Sequence, residues 1–340
     1  MTTSTSDAAA QFAGRQQSPV QRIQHLLHQF PWISPLLILL ISFAVFTGLN
    51  PRFLTANSIG LLLQQTAIVA ALAVGQTLVI LTAGIDLSVG AIMVLSMMVM
   101  ATLAKDGGMP GIIALIVGVA LATGAGLLNG LLVTRINLPP FIVTLGTLSI
   151  FTAIALLYSG GSSIQESHLP GLINFLGDGF GIGKLRLTWG VILVVLMYAV
   201  VGFVLSQTAW GRYVYAVGDD PESARLSGVP SRRVLLQVYT VAGFIYGLAA
   251  WALIGRSGAA TPNAIPDANL QSITAVVIGG TSLFGGRGRL IGTLIGAVIV
   301  QAFAFGLSLA GVNQQWRVLA TGILVIVAVA IDQWIRKVKA

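Results

Sequence analysis

The chain has 340 residues, of which 56% are hydrophobic and 8% charged, and its mean hydropathy is +0.91. Soluble domains are about a quarter charged, so no soluble fold could hide this much apolar surface, and the chain reads as a membrane protein. Eighteen Lys and Arg exceed ten Asp and Glu, but the bases cluster at the ends of apolar runs, where they set orientation and meet anionic lipid; nucleic acid is not an expected partner.

Residues 1–32 are polar and read as a cytoplasmic tail that becomes amphipathic near Val20–Phe30. His25 and His28 lie one helical turn apart there, and without further ligands they read as solvated side chains, so no metal site is expected. The first apolar run, Trp32 to Leu49, lacks a clear small-residue cleavage site and reads as a retained span. A spanning helix needs about 20 apolar residues. On that measure the chain holds about ten spans, near 33–49, 58–83, 87–104, 111–133, 141–158, 188–206, 235–256, 270–284, 290–310 and 315–335. The expected fold is therefore an all-α polytopic membrane protein. Its transmembrane domain covers 33–335, with a cytoplasmic loop at 207–234 and a short cytoplasmic tail at 336–340.

With the amino terminus inside, alternation puts twelve Lys and Arg on the inner side and six on the outer, which supports an even span count and two cytoplasmic termini. Trp32, Trp189, Trp316 and Trp334 fall at span ends, as an interfacial aromatic belt requires. Gly118, Ala122, Gly126 and Gly130 recur every four residues, as do Gly288, Gly292 and Gly296; both ladders predict close helix contact.

Asp86, in LTAGIDLSVG, is the main acid near the membrane interior. Two readings stand: it caps the following helix, or it contacts protons or substrate hydroxyls. Uncharged polar residues recur within the spans, among them Gln64, Gln65, Gln76, Thr77, Asn129, Thr144, Thr147 and Gln271. They either line a path for a neutral polyhydroxy solute or bond between helices. The candidate path residues are Gln76, Asp86, Asn129, Thr144 and Thr147. The longest outer connection, Ser159 to about Leu187, carries Glu166, His168, Pro170 and Asp178 among many glycines. It either caps the outer mouth or meets a partner, or it is a surface connector.

The largest cluster of charge runs from Trp210 to Arg233. Its local pattern is a short, punctuated helix. Asp220 suits the N-cap, Pro221 the first helical position, Glu222 the positive end of the dipole and Arg225 the negative end. Gly228 is a natural stop, Pro230 blocks continuation, and Ser231 can cap the next helix. The segment either joins two spans or docks a soluble partner.

No Walker site is recognisable: the only Gly-Lys pair, Gly183–Lys184, is followed by Leu185. LFGGRGR, 283–289, reads as a tight inner turn, the alternative being an anion site built from its backbone N–H groups. No HExxH and no nucleophile–base spacing is visible, so no catalytic residue is expected, and the absence of cysteine excludes thiolate chemistry.

Four ordered blocks then carry a family resemblance: VGQTLVILTAGIDLSVGAI (74–92), LPPFIVTLGT (138–147), GRYVYAVGDDPESARLSGV (211–229) and AVVIGGTSLFGGRGRLIGTLIGA (275–297). They resemble the ribose/xylose-type sugar permeases of bacterial ABC importers, within the branched-chain amino acid/sugar permease superfamily. The resemblance implies a type II ABC importer-like fold in the bacterial inner membrane, and a chain that dimerises, as a homodimer on the simplest expectation. It implies two cytoplasmic ABC ATPase subunits, which bind ATP and Mg while this chain binds no cofactor, and a periplasmic or lipid-anchored sugar-binding protein. It also implies a coupling helix near Pro221–Gly228. The implied docking residues are Asp219, Asp220, Pro221, Glu222, Ser223, Ala224, Arg225, Leu226, Ser227 and Gly228. The family often has Gly-Asn where this chain has Asp219–Asp220, which adds negative charge at the docking site. The rival readings are a branched-chain amino-acid permease of the same plan, an ion-coupled secondary sugar carrier, and a membrane scaffold or sensor.

Overall fold

Inside a bilayer a backbone must satisfy its own hydrogen bonds, and long apolar runs do so as helices. In the computed structural model, which describes residues 33–105 and 107–336, those runs are helical. The first five helices are α1 (Ile33–Leu49), α2 (Ala56–Leu81), α3 (Val89–Lys105), α4 (Gly111–Arg135) and α5 (Pro140–Ser159). The outer connection follows, with strand β1 (Ile164–Gln165), the one-turn helix α6 (Gly171–Asn174), and strands β2 (Gly179–Ile182) and β3 (Leu185–Thr188). Then come α7 (Trp189–Gln207), α8 (Ala209–Asp219), α9 (Pro221–Leu226) and α10 (Ser231–Ser257). Strand β4 (Ala259–Ala260), α11 (Ala268–Ile278), α12 (Leu290–Leu309) and α13 (Gln314–Arg336) complete the chain. The tail expected over 1–32, with His25, His28 and Trp32, lies outside the described residues, as do Lys337 and Lys339.

Among the described residues, six helices are long and apolar enough to cross a membrane: α2, α4, α5, α7, α10 and α12. Two of them form the centre. The most apolar windows of α2 and α10 are 72% and 67% buried, against 28–33% for α4, α5 and α7, whose remaining faces are free for lipid or a partner.

Small residues set the closest contacts. Gly126 of α4 lies against the Tyr239 carbonyl and Gly243 of α10, and a Cβ there would come within 2.9 Å of the Gly243 Cα. Gly292 and Gly296 of α12 meet Gly279 and the Ala275 carbonyl at the end of α11. Both ladders are thus packing faces. A satellite of Phe43, Phe46, Phe53 and Phe303 ties α1 to α12, with the Phe46–Phe303 centroids 5.3 Å apart.

Two expectations need correction. The run expected to span 270–284 is helical only as α11, which has 11 residues. At 1.5 Å per residue that is about 16 Å, roughly half a hydrocarbon core. Gly279 and Gly280 end the helix, and Gly280 takes φ +83°. Second, the 207–234 loop contains an additional helix, α8, before the short one. The outer connection, left open between a cap or partner site and a surface connector, is built structure. β1 pairs antiparallel with β4, and β2 pairs with β3 in a hairpin turning at Gly183–Lys184. Trp251 Nε1 donates to the Leu172 carbonyl at 3.0 Å, and Gln64 Nε2 to that of Arg186 at 3.2 Å. These bonds fold the connection onto α10 and α2.

Candidate functional site

The charged segment is the first of three places where polar chemistry gathers. Asp220 caps α9: its Oδ1 accepts from the Glu222 and Ser223 amides at 2.9 and 3.0 Å, and Ser223 Oγ donates to Oδ2 at 2.6 Å. These bonds, led by the Ser223 hydroxyl, hold the Asp220 carboxyl below its ordinary range. Arg225 grips Glu222 with two bonds, Nη2 to Oε1 at 2.6 Å and Nε to Oε2 at 3.2 Å, and this lowers the Glu222 carboxyl likewise. Ala224 is buried, whereas Leu226 is 76% exposed, so α9 is seated by one face and presents an apolar tip on another. Gly228, at φ +83°, turns the chain out of the helix. Ser231 does not cap α10. Pro230 occupies that position, and Ser231 Oγ donates back to the Pro221 carbonyl at 3.3 Å.

α9 follows α8, which is packed closely on the end of α2. At Gly218 of α8 a Cβ would overlap the Leu81 carbonyl at the end of α2. That same carbonyl accepts from the Gly286 amide at 3.0 Å, and Tyr215 Oη donates to the Gly288 carbonyl at 3.0 Å. LFGGRGR is indeed a tight turn, closed by the Ser282 amide on the Arg287 carbonyl at 2.8 Å, and it locks α8 to the end of α2. Five residues further along the chain from Leu81 stands Asp86.

Asp86 is the centre of the second place. It is 1% exposed, and Oδ1 accepts from the Ser88 amide at 2.8 Å and from Ser88 Oγ at 2.6 Å. Ser88 Oγ in turn accepts from Asn129 Nδ2 at 2.9 Å. Asp86 therefore does not bond to the first turn of α3, as the capping reading expected. It orders Ser88, whose carbonyl accepts the first helical bond from Ile92. Thr144 Oγ1 of α5 donates to the Ile85 carbonyl at 2.9 Å, next to Asp86. Thr147 is one turn further along α5, and its hydroxyl donates to the Thr144 carbonyl at 3.4 Å. Asp86, Asn129 and Thr144 thus meet at one junction of α3, α4 and α5. The Tyr246 hydroxyl faces the Asp86 carboxylate without reaching hydrogen-bonding geometry. Gln76 is fully buried with neither amide atom bonded, and no hydrogen bond joins it to that junction.

The third place escaped the sequence reading. A pocket of about 190 Å³ opens between α3, α5 and the 262–269 segment that starts α11. Its polar lining is Thr152, Asn263 and Asn269, and none of the five candidate path residues lines it. It forms because α11 is a half-length helix whose amino end lies beside the start of α3: a Cβ on Gly90 would be 3.0 Å from that of Ala268. Asp267, also overlooked, accepts from Gln271 Nε2 at 2.7 Å, and Gln271 Oε1 accepts from Gln301 Nε2 at 2.7 Å, which braces α11 against α12. The signal that could have found it was Pro262 and Pro266 just before an apolar run too short to span.

Buried multi-helix packing, a half-length helix beside a small pocket, and an exposed capped helix packed on the end of α2 are features of a polytopic membrane protein. Over residues 58–329 the chain matches the family described as branched-chain amino acid transport system / permease component, and it belongs to that family. It is 49% identical to the fructose import permease protein FrcC of Rhizobium meliloti, over 99% of this chain and 94% of that one. It is 38% identical to the ribose import permease protein RbsC of Bacillus subtilis, over 88% and 92%. To the D-allose transport system permease protein AlsC of Escherichia coli it is 36% identical, over 88% and 91%. The resemblance to sugar permeases carried by the four sequence blocks agrees with these matches.

Proposed function

We propose that this chain is the membrane subunit of an ATP-binding-cassette importer that carries a monosaccharide across the bacterial inner membrane. The observation that carries the reading is α9, a short capped helix with an exposed tip, fixed through Gly218 and Gly286 to the end of α2. A partner that moves α9 thereby moves the core of the bundle. The partner is a pair of cytoplasmic ATPases that bind ATP and Mg, with a periplasmic or lipid-anchored binding protein delivering sugar. The chain works as a homodimer of type II importer fold, with about ten membrane segments and both termini inside. α1, α3, α11 and α13 join the six long helices in that count.

The mechanism is alternating access and involves no covalent step. ATP state and substrate must each bind two conformations unequally for the sites to be coupled. The pocket at the head of α11 is the sugar station in this reading. Its 190 Å³ is below the roughly 300–1,000 Å³ of drug-sized sites, and Thr152, Asn263 and Asn269 offer neutral donors and acceptors that suit hydroxyls. Asp86, Asn129, Thr144 and Thr147 are the polar joints around which the path opens, and Gln76 is a further path residue. An amino-acid permease is the second reading, favoured by the family's description. A zwitterion needs partners for two charges, however, and no charged side chain lines the pocket.

The test is reconstitution of the full chain with the ATPase and binding protein that co-purify with it. ATP-dependent uptake of fructose or ribose in preference to leucine is expected. Glu222→Lys, which breaks the Arg225 pair, and Gly228→Pro should each leave ATP hydrolysis running while abolishing uptake. Sugar uptake by the chain alone without ATP would overturn the reading and make Asp86 the residue of interest for ion coupling.

A further inference from the structure

A cleft of about 840 Å³ separates α7 from the start of α12 and is floored by the glycine-rich turn. Its character changes along its length. One end carries Arg287, Arg289 and the Tyr215 side chain. The rest is walled by apolar and small residues, Gly202 and Leu205 on α7 and Ile291 and Leu294 on α12. Both helices are of membrane-crossing length, and their outer faces are strongly apolar: Val200, Phe203 and Ile291 are 60%, 63% and 67% exposed.

Both arginines are exposed, and among the described residues neither is in an ion pair. Asp219 packs its backbone and Cβ on Gly286 and forms no ion pair with either arginine. The amino-terminal amides of α12, a 20-residue helix without a side-chain cap, add positive potential at the same end. A second copy of the chain packed symmetrically on this cleft would bring two such arginine pairs together with no acid among the lining residues. The charge therefore selects an anion, and the long apolar wall selects an anion with a hydrocarbon tail.

We propose that this cleft binds one anionic phospholipid, with its phosphate on Arg287 and Arg289 and an acyl chain lying between α7 and α12 past Gly202. A basic pocket between membrane helices at one leaflet is the general form of such sites. Because the turn that carries the arginines also locks α8 to α2, the lipid would brace the mount of α9 from its membrane side.

The test uses the purified full-length chain, stripped of lipid in mild detergent and analysed by native mass spectrometry with phosphatidylglycerol or phosphatidylcholine. Two juxtamembrane arginines correspond to about a 30-fold preference, so phosphatidylglycerol should be retained over phosphatidylcholine by about that factor. R287Q/R289Q should bring the ratio close to one. R232Q/R233Q, at the exposed start of α10 and outside the cleft, should leave it unchanged. G202F gives an independent reading, because nothing lies within 4 Å of a Cβ at Gly202, so the ring fills the chain slot without disturbing the arginines. It should reduce phosphatidylglycerol retention even if the arginine variant fails to fold. Retention as in the wild type by a folded R287Q/R289Q protein, or by G202F, would overturn the proposal. So would displacement of the lipid by excess inorganic phosphate, which would mark a free-anion site.

Discussion

Asp220 and Asp86 are two carboxylates with opposite surroundings. Asp220 is exposed, and its depressed pKa follows from the Ser223 hydroxyl and the amides it caps. A carboxylate lowered by folding contributes its full stabilisation above the unfolded value and loses it as pH falls through the folded one. Hydrogen-exchange protection of 221–228 should therefore stay level around neutrality and drop only below the ordinary aspartate range. In Asp220→Ala, the Glu222 and Ser223 amides should exchange several-fold faster at neutral pH; equal rates would show that the cap is idle. Asp86 is buried, and among the described residues the chain of bonds from Asn129 through Ser88 ends on its Oδ1. Asp86→Asn keeps an acceptor there, whereas Asp86→Leu strands buried donors at about 1–3 kcal/mol. A clear fall in melting temperature is expected for Leu and little change for Asn. A Leu variant that melts like the wild type would remove Asp86 from the packing account.

At the scale of elements, closeness of approach sorts glycines that look alike in sequence. Gly126 and Gly124 are two residues apart on α4, yet Gly126 abuts the α10 backbone while nothing lies within 4 Å of a Cβ at Gly124. Gly126→Val should cost about 3 kcal/mol or more through overpacking, and Gly124→Ala should be neutral or slightly stabilising, as judged by thermal unfolding in detergent. Equal melting of the two variants would mean that the α4–α10 seam yields easily. Gly218→Ala tests a different element contact. It pushes α8 off the Leu81 carbonyl, so transport per ATP hydrolysed should fall while ATPase binding persists.

For the whole molecule, the proposed orientation rests on the asymmetry of Lys and Arg along the sequence and is tested by labelling. The chain has no cysteine, so single substitutions report cleanly. Ser223→Cys on α9 should react with an impermeant maleimide only from the cytoplasmic side, and Lys184→Cys at the β2–β3 turn only from outside. Labelling of both from one side would invert or break the proposed topology.

Local rules made much of this legible from residue order. The α9 cap needed only Asp220, Pro221 and Glu222 in sequence, because a capping carboxylate reaches amides two and three residues away. The helix positions followed from apolar length and the small-residue ladders from their period, since both are properties of a single helix. Tertiary structure decided what depends on distant partners. α11 is a half-length helix whose amino end lies beside Gly90 of α3, and the pocket with Thr152, Asn263 and Asn269 lies at that end. Asp86 bonds Ser88 rather than the α3 amides, and Asn129, 41 residues from Ser88 and on another helix, completes the chain of bonds. Whether a polar side chain joins helices or faces an opening depends on what stands opposite it, and residue order alone does not contain that.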